Sequence, residues 1–344
     1  MKREVIIVGW IRKGQPADCG ETMKNQLMVR RLTEQGVRCR QMDFKDWKKH
    51  PWVIADLLWT MVTHKDSTLI LSTSTINIYP LLKLLKSIGW RQNIVHWVIG
   101  GSLGEKVTNG VFRADVIGYA NHTLVESGIM MDQLQKCGVK GVRQVPNFKP
   151  ITYYPELSLC GPKIRFVFLS RIMSEKGCDY IIEAVKTLNA RGLKECFTVD
   201  FYGKIDHGYN DRFMSEIETL DNVSYRGFLN LRENSGYDDL AKYDVMLFPT
   251  YWKGEGFAGI FIDSFISGVP IIASDWAHNT QFLKDNENAM IVPVHDVNAL
   301  SEKMRYCMEN KDDVNRLKRN CRSEASKYDI NNIITKDLLT SIGI

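Results

Sequence analysis

The chain lacks the marks of a secreted, metal-binding or membrane-spanning protein. Its eight cysteines, at 19, 39, 137, 160, 178, 196, 307 and 321, include no C-x-x-C pair and follow no spacing pattern. Neither a zinc site nor a disulfide framework is expected, and reduced thiols in a cytoplasm fit best. Long apolar runs are also missing. The longest uncharged run, residues 67–82, includes Ser72, Thr73, Ser74, Thr75 and Asn77, so it is too short and too polar to cross a bilayer. The apolar stretch that follows Met1-Lys2-Arg3-Glu4 ends at Arg12-Lys13 with no small-residue cleavage site, and reads as a first β-strand rather than a signal peptide. No low-complexity stretch and no solenoid repeat is found. Helix-turn-helix, zinc-finger and RNP signatures are absent, so a nucleic-acid partner is not expected.

The composition is that of an ordinary globular protein. Of 344 residues, 44% are apolar and 25% charged, and the length suggests two domains. The charge is unevenly spread. Residues 1–150 hold 22 Lys+Arg and 12 Asp+Glu, a net +10; the remainder, with 23 and 28, is −5. A basic half invites an anionic partner such as a phosphate group or an acidic membrane surface.

Short β-branched runs alternate with amphipathic segments. Strands are expected at 5–8, 68–72, 94–99, 123–126 and 142–145, with helices at 22–35 and 78–88 between them. The segment from Pro146 to Pro162 holds four of the ten prolines and little periodicity, and residues 149–162 read as a linker. The alternation then restarts, with strands at 165–169, 197–202, 245–248 and 271–273 and helices at 180–190, 297–310 and 314–327. The expected architecture is α/β: two Rossmann-like, doubly wound domains, 1–148 and 163–344, facing an interdomain cleft, with a last helix able to cross back to the first domain.

Three motifs carry chemistry. In Phe168-Leu169-Ser170-Arg171-Ile172-Met173-Ser174-Glu175-Lys176-Gly177, a strand ends and two cations precede a helix. Cations near a helix N-terminus make an anion site, because the dipole and free N–H groups add to them. The alternative is a surface loop with Lys176 paired to Glu175 or Asp179. In Gly254-Glu255-Gly256-Phe257-Ala258-Gly259-Ile260-Phe261-Ile262-Asp263, glycines let backbone approach a ligand. If Asp263 lies two turns into a helix, it and Glu255 face one cleft and can accept hydrogen bonds from sugar hydroxyls. The third, Phe265-Ile266-Ser267-Gly268-Val269-Pro270, closes that helix before another strand.

In this order the motifs resemble glycosyltransferase family 4, also called glycosyl transferases group 1, which have the GT-B fold. The likeness is strong over residues 165–293 and looser over 1–150. Trp97-Val98-Ile99-Gly100-Gly101 and Val145-Pro146-Asn147-Phe148-Lys149 draw it toward bacterial transferases that build capsule and other surface polysaccharides. The resemblance implies a retaining, metal-independent transferase with no cofactor beyond its nucleotide-sugar donor. That donor would be a UDP-sugar, and the acceptor a saccharide or a lipid-linked saccharide. Arg171 and Lys176 match the basic pair that holds the donor's diphosphate. Glu255 matches the carboxylate that contacts the donor sugar, and Asp263, in place of the usual Glu, the one that holds the ribose. The backbone of Gly256, Phe257, Ala258 and Gly259 would lie against sugar and phosphates. Gly203, Gly227 and Phe228 fall where the family seats its nucleobase, and Gly20 would let the backbone near the donor. No residue matches the histidine many relatives carry, and His96 reads as a core residue. A nucleotide-sugar epimerase of the same fold and a non-catalytic membrane-associated partner subunit are the alternatives.

A basic aromatic stretch, Phe44-Lys45-Asp46-Trp47-Lys48-Lys49-His50-Pro51-Trp52, leads into an apolar helix containing Trp59. Trp47, Lys48, Lys49 and Trp52 fit a membrane interface or a lipid-linked acceptor, which would make the protein peripheral on the cytoplasmic face. The alternative is a helix that packs its Trp/Leu face on the sheet.

Overall fold

A computed structural model of the chain describes residues 4–344 except 46 and 48. The chain forms two compact units, Met1–Pro150 with Tyr328–Ile344, and Ile151–Lys327. The stretch expected as a linker therefore falls with the second unit from Ile151 onward, and the final segment falls with the first.

The first unit holds a sheet of β1 (Glu4–Gly9), β2 (Arg38–Asp43), β3 (Thr68–Ser72), β4 (Ile94–Trp97), β5 (His122–Val125) and β6 (Val142–Gln144). All pairs are parallel, in the order β2-β1-β3-β4-β5-β6. The central strands are apolar almost without interruption because helices cover both faces. Alternation along β1 sends Ile6 and Val8 to one face, with Leu57, Met61, Ile78, Leu82 and Leu85 from two helices. It sends Val5 and Ile7 to the other, with Met28 and Leu32 of the helix Gly20–Glu34. The final segment completes that second layer through Ile330, Ile334, Leu339 and Ile342. Thr68 donates to the Gly343 carbonyl at 2.9 Å and Asn93 to that of Ile342 at 2.8 Å, which fixes the chain end against the sheet.

The second unit repeats the plan with β7 (Ile164–Leu169), β8 (Phe197–Tyr202), β9 (Val223–Tyr225), β10 (Val245–Phe248), β11 (Ile271–Ser274) and β12 (Ala289–Val292). The order is β12-β11-β10-β7-β8-β9, again parallel. The chain starts at the centre, winds outward through β9, returns beside β7 as β10, and winds outward the other way. At this reversal the loops after β7 and β10 leave toward opposite faces, and a crevice opens at their carboxyl ends. In the first unit the reversal lies between β1 and β3.

Two outcomes test this packing. Leu339→Ala removes a side chain that is 1% exposed and should cost about 2–5 kcal/mol, read as a lower thermal midpoint of the first unit. His96, in β4, is fully buried, and desolvation pulls its pKa from 6.5 to about 3. Its folded imidazole is neutral, so the unfolded chain binds the extra proton. The first unit should therefore lose stability as pH falls from 6.5 toward 3, and His96→Asn should flatten that slope in midpoint-against-pH curves.

Candidate functional site

Both central loops of the second sheet contribute to one buried contact. After β7 the chain runs through Arg171 into a single 3-10 turn, Ser174–Lys176, then Gly177 and the helix Cys178–Ala190. Lys176 turns inward and is 7% exposed. Its Nζ donates to Glu255 Oε2 at 2.5 Å and lies 5.5 Å above the Phe248 ring. Glu255, 6% exposed, sits on the loop after β10. The Thr250 hydroxyl stands 3.1 Å from the same Oε2 and 3.2 Å from the Glu175 carbonyl, and can donate to either. Tyr251 N donates to the Glu175 carbonyl at 2.9 Å, so backbone as well as side chains tie the loops together.

This approach requires a glycine. Gly177 has φ +82°, and a Cβ there would lie 2.2 Å from the Pro249 carbonyl oxygen. Gly203, at φ +136°, would set a Cβ 1.8 Å from the Ser170 carbonyl oxygen. Gly203 N donates to the Gly227 carbonyl at 2.7 Å, and the Tyr225 hydroxyl donates to the Gly203 carbonyl at 3.0 Å. The carboxyl ends of β7, β8 and β9 thus form one rim, beside which Phe228 is 74% exposed. Arg171 is exposed, with its guanidinium 5.4 Å above the Trp252 ring, and it borders a groove with Lys204, Asp206 and His207.

Gly256 and Phe257 are buried, and Phe257 stacks on Phe282 at 3.9 Å. Ala258 caps the helix Gly259–Ser267. Asp263 is therefore little more than one turn into that helix, not two. It is 2% exposed and accepts a hydrogen bond from Tyr237 at 2.8 Å. Glu255 and Asp263 thus have different partners. Burial and that carboxylate push the Tyr237 phenol well above its usual range, so it donates at every ordinary pH.

In the first unit, Gly20 opens the helix Gly20–Glu34, exposed and with open space where a Cβ would stand. Cys19 beside it is exposed. Trp47 is half-buried, Lys49 exposed and Trp52 65% exposed, while Lys48 lies outside the described residues. Sequence reasoning missed Thr250, Trp252 and Tyr237. Thr250 was within reach, since it directly follows a strand end beside a proline. Nothing local marks Tyr237, which meets Asp263 only through helix packing.

Residues 156–324, nearly all of the second unit, match the family model described as glycosyl transferases group 1. A protein from the cps region of Klebsiella pneumoniae, described as an uncharacterized 41.2 kDa protein, is 28% identical over 142 residues. That match spans 41% of this chain and 36% of the relative. Among solved structures, Anabaena HepE in complex with UDP and glucose superposes with a TM-score of 0.69 at 14% identity, over 99% of both chains. The sucrose-phosphate synthase of Thermosynechococcus elongatus does so with a TM-score of 0.77 at 14% identity, over 96% of each. The chain has the GT-B fold, with two Rossmann-like, doubly wound domains.

A buried ion pair costs desolvation, so the pair is weak support for stability while each partner depends on the other. Lys176→Ala alone leaves a carboxylate buried without its cation and should cost about 3–5 kcal/mol. Lys176→Ala with Glu255→Gln should recover much of the loss, and a double-mutant cycle on denaturant midpoints measures it.

Proposed function

We propose that this chain transfers a sugar from a nucleoside diphosphate sugar, a UDP-sugar foremost, to a saccharide or lipid-linked saccharide. The observation that carries the reading is the Lys176–Glu255 pair at the carboxyl ends of the two strands flanking the reversal, inside the segment that matches the family model. The UDP bound to the structurally similar Anabaena protein supports the choice of nucleotide. The Klebsiella relative's cps location supports a role in surface polysaccharide.

On this reading, Lys176 and Arg171 face the diphosphate. Negative charge builds on the bridging oxygen as the sugar–phosphate bond breaks, and cations held nearby stabilise that transition state more than the ground state. Glu255 changes partners in part, keeping Lys176 oriented while accepting a hydrogen bond from a donor-sugar hydroxyl. Asp263, held by Tyr237, takes the ribose, and Gly203, Gly227 and Phe228 border the base. The backbone of Gly256, Phe257, Ala258 and Gly259 supports the sugar and phosphates, and Gly20 lies on the acceptor-bearing unit. The acceptor hydroxyl attacks on the face the nucleotide leaves, which retains anomeric configuration. Two side-chain cations do the work a metal ion would do, so the reaction is expected to run without one.

Thermal-shift screens with UDP, GDP, ADP and CMP sugars should show one base stabilising the protein, by a margin that grows with ligand concentration. Arg171→Ala, at an exposed position, should fold normally yet lose about tenfold or more in kcat/KM. Donor consumed without any acceptor would identify an epimerase instead. No shift with any nucleotide would leave only a non-catalytic subunit.

A further inference from the structure

The helix Trp52–Thr63 packs on its sheet by a narrow stripe, Leu57, Thr60 and Met61. The rest of its surface is also apolar. Trp52 is 65% and Trp59 69% exposed, and Ile54, Leu58 and Val62 are exposed with them. Asp56 is the single charged residue in this helix. The helix Thr75–Ser87 packs into the same layer through Ile78, Leu82 and Leu85. It exposes Ile76 and Leu84, and Ile88 follows at its end. Eight of the thirteen large apolar side chains exposed among the described residues therefore lie between positions 52 and 88. Scattered exposed hydrophobes need no explanation, but a concentration on one layer does.

The fringe of this layer has one dominant sign. Lys49 and Lys65 bracket the first helix and are exposed. Residues 67–104 carry Lys83, Lys86 and Arg91 and no carboxylate. Lys83 and Arg91 are exposed, while Lys86 pairs with Asp115. Asp56 and Asp66 are the opposing exposed charges near the first helix. Two copies of the chain meeting through this layer about a two-fold axis would set like charges against each other. An anionic lipid surface meets the same fringe with opposite charge and takes the tryptophan rings at headgroup depth. No described helix is long and apolar enough to cross a membrane, so the contact lies in the interface plane.

We propose that this layer of the first unit docks on an anionic bilayer, through Trp52, Ile54, Leu58, Trp59, Val62, and the exposed cations beside them. The proposal stands apart from sugar transfer, and each can fail without the other.

Co-sedimentation of the full chain tests it, with vesicles of phosphatidylcholine alone and with about 30% phosphatidylglycerol added. The protein should pellet with the anionic vesicles, and about 0.5 M salt should weaken this binding severalfold. Trp52→Ala with Trp59→Ala should weaken it about tenfold or more. Lys83→Glu with Arg91→Glu should act in the same direction. These positions are exposed, so circular dichroism and the nucleotide thermal shift should match those of the parent chain. Failure to pellet with anionic vesicles, or binding unchanged in the tryptophan variant, overturns the proposal. So does a dimer in light scattering that the tryptophan variant dissociates, since the layer would then face a second copy of the chain.

Discussion

The contact between Lys176 and Glu255 is the constraint on which the second unit's site depends. It joins residues 79 positions apart and lies where the winding of the sheet reverses. Two loops that would otherwise diverge are tied there by a buried charge pair, by Thr250, and by the Tyr251 amide on the Glu175 carbonyl. Gly177 makes this geometrically available, because any side chain there would strike the Pro249 carbonyl. The carboxylate holds the buried lysine in one orientation between the two loops.

Around this contact, each side chain's freedom to move follows from its distance to solvent. Lys176 and Glu255 are buried and preorganised, whereas Arg171 is exposed and rests on Trp252. An exposed guanidinium can swing onto a ligand at little cost, while a buried ammonium cannot move far without losing its partner. The first unit has a buried pair of its own, Lys24 and Glu126 at 2.6 Å, and the carboxylate of Glu21 nearby is shifted upward by desolvation. Each sheet thus carries charge at its carboxyl end, where parallel strands leave loops free for binding.

Much of the fold was legible along the chain, and the parts that were not share a physical cause. The expected strands include both central pairs, β1 with β3 and β7 with β10, whose residues are covered on both faces and so read as unbroken apolar runs. The strands that escaped notice are β2, β9 and β12, all at sheet edges. Arg38–Asp43 is mostly polar because one side of an edge strand has no neighbour, and Val223–Tyr225 is too short to carry a period. For the site, the motif glycines and charges were visible, but Asp263 sits nearer its helix start than the spacing suggested and meets Tyr237. The return of Tyr328–Ile344 to the first unit was open in the sequence, since an amphipathic helix end does not say which apolar face it will cover.

The sequence by itself determined the alternation of buried strands with amphipathic helices, the two-fold repetition of that plan, and the basic character of the first half. These are local patterns, set by which side chains can leave water. Only the tertiary structure decided that Lys176 takes Glu255 rather than Glu175 or Asp179, and that the helix after Pro51 leaves both its tryptophans in solvent. Partners far apart in the chain are chosen by the order in which strands pair, and no stretch of residues carries that order within itself.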